Sequence, residues 1–289
     1  MKLSNYYSQG RGVLFRSFLR FKYNQNYSDE IPKDWVTYQF LRDKYSTFIN
    51  ELPLYKEEKS RKDIIWWNWF PGEENAPQLN KSCLASIRKY AKNKKIIVID
   101  RNNMDDYVSF PSYIIEKYKK GIIPRGHFTD LLRLELLTKY GGTWIDASVL
   151  LTGYNKDFFD SDFFVFKNYK KAIVISNWFI TANKNNPILR TTKDILYDYW
   201  KHNNFFLHYF LFHICFSLSY EKYPDIWKKV PEYSNVEPHL MQKELLNKYD
   251  KKRFNEIKKL SSVHKLSNHI KSKDVLDDSL YSYIEKMYK

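Results

Sequence analysis

Cysteine is nearly absent from this chain. Two in 289 residues, Cys83 and Cys215, give no disulfide framework and no metal-ligand spacing. Both read as buried free thiols in a reducing compartment. No stretch reaches the roughly 20 apolar residues that a membrane span needs. The nearest, residues 205–218, is shorter and carries His208 and His213. The N-terminus has a lysine but no apolar h-region or cleavage site, so no signal peptide is expected. The expected location is the cytoplasm, with peripheral attachment to the inner face of the membrane as the variant. There is also no G-x-G-x-x-G and no P-loop, so a glycine-rich phosphate cradle of either kind is excluded. Acids are in short supply: 33 Asp and Glu face 48 Lys and Arg, a formal net charge of +15 spread along the chain. An anionic partner follows: nucleic acid, a phosphorylated substrate or an acidic membrane. Without an RNP, zinc-finger or basic-zipper signature, nucleic acid is not the expected one.

Aromatics, by contrast, are abundant at 18%, which favours a packed globular protein over disorder. The most informative stretch is Gly126 to Gly153. Phe128, Leu131, Leu132, Leu134, Leu136 and Leu137 predict a helix apolar on nearly every side, hence buried. Thr129 is its expected N-cap, with Asp130 in the first turn where a carboxylate suits the helix dipole. Gly141 and Gly142 stop it. From Thr143 the period changes to two: Ile145, Ala147, Val149 and Leu151 face one side, and Trp144, Asp146, Ser148 and Leu150 the other. An aspartate on so apolar a strand costs free energy to bury unpaired. Two readings are open: a structural Asp bonded to backbone amides, or a site residue at the strand's carboxyl end, where open α/β sheets bind ligands.

Residues 1–62 read as helical and basic, with Phe15, Phe18, Leu19, Phe21 and Tyr23 interleaved among Arg11, Arg16, Arg20 and Lys22. Such a segment lies on an anionic lipid surface or packs its aromatic side on the main domain. A buried strand begins at Asp63 and ends at Pro71-Gly72, a helix runs from Cys83 to Lys92, and a second strand runs from Lys95 to Asp100. Strand, helix, strand opens a Rossmann-like nucleotide-binding half, with Asp100 placed for a ribose or base contact. Residues 158–167 and 172–182 read as two more strands, and a helix follows Pro187. His208 and His213 are five apart, which is not helical metal-ligand spacing. His213 reads as a core histidine. Residues 63–270 form the expected central domain, and 271–289 a charged, solvated terminal helix or tail.

The run H-F-T-D-L-L-R-L-E-L-L-x-K-Y-G-G-T-W-I-D-A-S, His127 to Ser148, resembles the capsular polysaccharide synthesis proteins, transferases related to glycosyltransferase family 32. The resemblance covers about Asp63 to Ser267. It implies an α/β fold with a GT-A-like nucleotide-binding sheet flanked by helices. It also implies transfer of a hexose from a UDP-sugar, with retention, to a growing, lipid-linked surface polysaccharide. Trp69 would stack on uracil, and Asp130 and Arg133 would contact sugar and nucleotide, with Trp144 beside them. Asn177 would meet sugar hydroxyls, and His208 the acceptor. Asp146, Ser148 and His264 would hold Mn²⁺ or Mg²⁺, and Lys265 the diphosphate. Ser148 departs from the acid that the family at large carries there. A serine hydroxyl is a poorer divalent ligand, so a catalytically inactive nucleotide- or polyanion-binding protein of the same fold is the alternative.

Overall fold

The computed structural model describes residues 3–22, 33–60 and 63–288; Tyr23 of the aromatic N-terminal series lies outside them. Helices α1 (Leu3–Lys22) and α2 (Lys33–Glu51) precede the sheet. Strand β1 (Ile64–Asn68), helix α3 (Gln78–Tyr90) and strand β2 (Lys95–Ile99) form a parallel βαβ unit. The short α4 (Met104–Tyr107) and α5 (Ser112–Lys119) lead into α6 (Arg125–Tyr140), then β3 (Gly142–Ile145) and β4 (Val149–Leu151). After α7 (Lys156–Phe159) comes the antiparallel pair β5 (Phe163–Lys170) and β6 (Ile173–Ala182). Helices α8 (Pro187–His202), α9 (Leu211–Tyr220), α10 (Pro224–Trp227), α11 (Val236–Lys243) and α12 (Lys251–Leu260) follow, then β7 (Val263–Lys265) and α13 (Leu280–Met287).

The main sheet has the order β2-β1-β3-β6-β5, with β1 parallel to both neighbours and β6 antiparallel to β3 and β5. This is the α/β sheet expected, with helices on both faces. Its two faces are separate cores because successive strand residues point opposite ways. Trp66, Trp144 and Ile180 join α2, α6, α8 and α9 on one face. Ile65, Trp67, Ile145 and Phe179 join α3 and α7 on the other. From β1 the chain steps to β2 on one side and returns to β3 on the other. That reversal opens a crevice at the carboxyl ends of β1 and β3.

The central stretch departs from expectation in two details. Helix α6 begins a turn early, capped at Pro124; Thr129 lies inside it and its hydroxyl donates to the Arg125 carbonyl at 3.1 Å. Proline suits that entry because its ring presets φ. The following strand is broken at Asp146: β3 ends at Ile145, and β4 pairs separately, antiparallel to β7. The alternation survives the break, since Ile145, Ala147, Val149 and Leu151 share one core while Trp144 and Leu150 enter two others. The glycine pair is required. At Gly142, whose φ of +95° is strained for L residues, an added Cβ would meet the Ile64 carbonyl oxygen at 2.6 Å.

Helix α1 packs one side on the main domain and leaves the other exposed. Ser8, Gly12, Phe15 and Leu19 form one stripe that packs inward: Leu19 is buried, and Phe15 contacts Phe40 and Phe205. Gly12 lies so close to the Phe206 carbonyl that no Cβ fits. Tyr7, Leu14, Phe18 and Phe21 form the opposite, exposed stripe. At the other end, the expected solvated helix from Lys271 is instead the shorter α13, whose Leu280 and Ile284 are buried against Met241, Leu245 and Phe254.

Candidate active site

A cavity of about 510 Å³ opens at the carboxyl ends of β1 and β3. The end of β1 and the residue after it deliver Asn68 and Trp69, helix α6 delivers His127, Asp130 and Arg133, and β3 with the residue after it delivers Trp144 and Asp146. Ser148, Asn177, His213 and Lys265 add to its polar wall. One bonded network runs through it. Asp130 Oδ1 accepts from Asn177 Nδ2 at 2.9 Å and lies 3.2 Å from an Arg133 nitrogen; its other oxygen is 3.2 Å from His127 Nδ1. Arg133 also reaches Asp146 Oδ1 at 3.3 Å and donates to the Asn177 carbonyl. Trp144 Nε1 donates to Asp146 Oδ1 at 2.8 Å. Lys265 Nζ lies 3.3 Å from Asp146 Oδ2 and donates to Ser148 Oγ.

The three-residue spacing on α6 explains part of this. His127, Asp130 and Arg133 recur every three residues, so they line one side of the helix and aim at the crevice. The Arg133 guanidinium also sits 5.0 Å from the Trp144 ring centroid. Burial tends to raise the Asp146 carboxyl, but Arg133 and Lys265 outweigh it and hold it below the usual carboxylate range. His213, buried at the cavity wall with Nδ1 unpartnered, is pushed down to about 4 by burial against the pull of Asp130, and is neutral at pH 7.

Trp69, Asp130, Arg133, Trp144, Asp146, Ser148, Asn177 and Lys265 thus come together as the sequence suggested. Three expected residues do not. Asp100 is absent from the cavity lining; its carboxylate accepts from the Asn102 and Asn103 amides at 2.7 and 3.1 Å, closing the turn after β2. His208 sits in the turn before α9 and faces α2, with Nε2 3.1 Å from Asp34 Oδ1 while Nδ1 accepts from the Phe210 amide. It is His213, one turn into α9, that reaches the cavity. His264 is fully buried, with Nε2 2.9 Å from Thr152 Oγ1, and burial pushes it down to about 3. Adjacent residues of a strand point to opposite sides, so Lys265 facing Asp146 turns His264 away.

The expected divalent-metal site therefore does not fit these residues. His264 is turned from it, Ser148 already accepts from Lys265, and both Asp146 oxygens face cations. Among the described residues, no three His, Cys, Asp or Glu side chains converge as metal ligands. His127, Arg125, Tyr209, Asn268 and His269 also line the cavity and were not singled out from sequence. For His127 a signal existed, its position three residues before Asp130. The other four sit in turns or at a helix start and carried none.

Known proteins bear on this arrangement. The family described as capsular polysaccharide synthesis protein matches residues 17–284. The O-glycosyltransferase braB of Annulohypoxylon truncatum is 26% identical over 156 residues, 47% of this chain and 37% of that protein. The chain thus spans little more than a third of that relative's length. Among solved structures, PaToxG glycosyltransferase superposes with a TM-score of 0.40 at 15% identity, covering 89% of this chain and 98% of that one. The glycosyltransferase GlyE of Streptococcus pneumoniae TIGR4 gives 0.42 at 12% identity, covering 80% and 63%.

Proposed function

The chain belongs to the capsular polysaccharide synthesis protein family, and on that premise we propose that it is a glycosyltransferase. In this reading it moves a hexose from a UDP-sugar to a growing surface polysaccharide carried on a lipid, with retention at the anomeric carbon. The observation that carries the reading is the cavity at the topological switch point, where Trp69 and Trp144, two acids and three cations, Arg125, Arg133 and Lys265, converge. Trp69 stands half-exposed at the end of β1, with Arg125 5.8 Å from its ring centroid, and offers a stacking face for a uracil ring. Asp130 and Asn177 present acceptor and amide groups suited to sugar hydroxyls. Lys265 supplies charge for the phosphates, and Arg133 balances Asp146 behind it. Trp69→Ala should weaken UDP binding by roughly tenfold or more, since base–aromatic stacking contributes about 1–3 kcal/mol. Calorimetric titration reads this directly. Unchanged affinity in a folded but less stable variant would make Trp69 a core residue instead.

Helix α1 supports the lipid-linked part. Its outward stripe exposes Leu14 at 73%, Phe18 at 55% and Phe21 at 85%, and Arg11 lies between Tyr7 and Leu14 on the same side. The helix contains basic but no acidic residues. An apolar stripe with cationic flanks fits an anionic bilayer surface. Gln9 of this helix lines the cavity, so a surface-docked protein would hold its site beside the lipids. Flotation with phosphatidylglycerol vesicles should retain the wild type. The double change Phe18→Asp, Phe21→Asp should lower bound protein at least tenfold, each buried phenyl contributing about 1.5–3 kcal/mol. Equal flotation of both proteins would remove α1 from the membrane contact. Among the described residues no helix is long and apolar enough to cross a membrane.

The second reading, a nucleotide-binding protein without turnover, is favoured by Ser148 alone. UDP binding without hexose transfer to any lipid-linked acceptor would select it.

A further inference from the structure

We propose that in this cavity Lys265 and Arg133 take the place of a divalent cation, so that diphosphate binding is independent of metal. The proposal rests on the nucleotide-sugar reading above and deepens it.

Three independent features point the same way. The first is the donor set. A divalent ion beside a diphosphate wants several oxygen or nitrogen ligands from protein, phosphate or water. Here Asp146 is the one acid between β3 and β4, and its two oxygens already face Arg133 at 3.3 Å and Lys265 at 3.3 Å. The serine two residues on accepts from the same lysine. An ion seated at Asp146 would stand within a few ångströms of two permanent cations, which repel it.

The second feature is the strand register. Leu150 pairs with His264 and Val149 with Lys265. His264 cannot turn toward Asp146 without unpairing β4 from β7 and leaving Thr152, its hydrogen-bond partner. This is a property of the backbone and not of a rotamer. A register shift by one residue would exchange the two side chains, and the buried Val263, Leu151 and Leu266 resist that shift.

The third is placement. Lys265 is partly exposed toward the cavity, whereas Arg133 is buried behind Asp146 and clamped by Asn177 and Trp144. An ammonium on a flexible stem can leave Asp146 for a phosphate oxygen, and the guanidinium keeps Asp146 neutralised as it does so. During transfer, the bond from the anomeric carbon to the diphosphate oxygen breaks and its electron pair stays on that oxygen. The acceptor hydroxyl oxygen bonds the same carbon, and its proton passes to the released diphosphate. Lys265 meets the charge that builds on the leaving oxygen, the task a metal ion performs elsewhere.

The test is UDP binding by the full chain, stripped with EDTA and then measured in EDTA or in millimolar Mn²⁺. Affinity should agree within about twofold between the two conditions. In EDTA, Lys265→Ala should lose roughly tenfold or more, as removal of a charge-assisted hydrogen bond implies, and Lys265→Arg should recover most of it. Binding that requires Mn²⁺, or tightens tenfold with it, would overturn the proposal while leaving the nucleotide-sugar reading intact. So would wild-type affinity of Lys265→Ala in EDTA. If UDP bound under neither condition, the nucleotide-sugar reading itself would fall, and this proposal with it.

Discussion

Replacing Arg133 by methionine should cost the fold about 3–5 kcal/mol, the usual penalty for removing one partner of a buried ionic group. The guanidinium is 4% exposed and stands between Asp130 at 3.2 Å and Asp146 at 3.3 Å. Methionine fills most of the volume but leaves two carboxylates without their shared guanidinium, with Lys265, His127, Asn177 and Trp144 as their remaining partners. Urea unfolding at pH 7 measures the loss. The sign of its pH dependence is fixed by Asp146, whose carboxyl is held low in the wild type despite burial. A depressed acid stabilises the folded state above its unfolded pKa, about 3.9, and that stability disappears as pH falls through the folded value. The gap between wild type and Arg133→Met should therefore narrow below about pH 4. A loss under about 1 kcal/mol at neutral pH would mean that water solvates the two acids and that the network is not a folding element.

Asp146→Asn should behave in the opposite manner: folded, and nearly inactive. The side chains have similar volume, and the asparagine oxygen can still accept from Trp144 Nε1. What disappears is the charge that holds Lys265 and Arg133 in register with each other. Misplacing cations that meet a developing charge costs about 10²-fold or more in rate. Hexose transfer should fall by that factor while UDP affinity changes only a few-fold, because the cations remain in the cavity. Turnover near wild type would return Asp146 to a purely structural role.

The elements that build this site were legible where their signals are local. The apolar run of α6, the glycine pair and the alternation from Thr143 all lie within one stretch, so the pattern placed Asp130, Arg133 and Asp146 on their elements while the family resemblance marked them as site residues. The strand end at Pro71-Gly72 was legible in the same way, and the family resemblance singled out Trp69 there. What could not be read were choices made by distant parts of the chain. Strand alternation says that only one of His264 and Lys265 can face Asp146. Which one is decided by the pairing of β4 with β7, more than 100 residues apart. His208 and His213 were assigned in reverse because α9 is apolar all round and gives no amphipathic face to orient it. Asp100 is a different matter: the run Asp100-Arg-Asn-Asn is a turn signal, and an aspartate there closes its own turn. In α13, surrounding charges obscured Leu280 and Ile284, although their four-residue spacing marks a buried face.

The most direct measurement is the melting temperature of the full chain in the presence of UDP, UDP-hexoses and GDP-hexoses, each well above micromolar concentration. A ligand that binds only the folded state at 100 times its Kd stabilises by about 2.7 kcal/mol. The expected result is a clear rise with UDP and with at least one UDP-hexose, reduced in Trp69→Ala and smaller with the guanine nucleotides. A melting temperature unmoved by every uridine nucleotide, in protein that is otherwise folded, would contradict a UDP-sugar transferase.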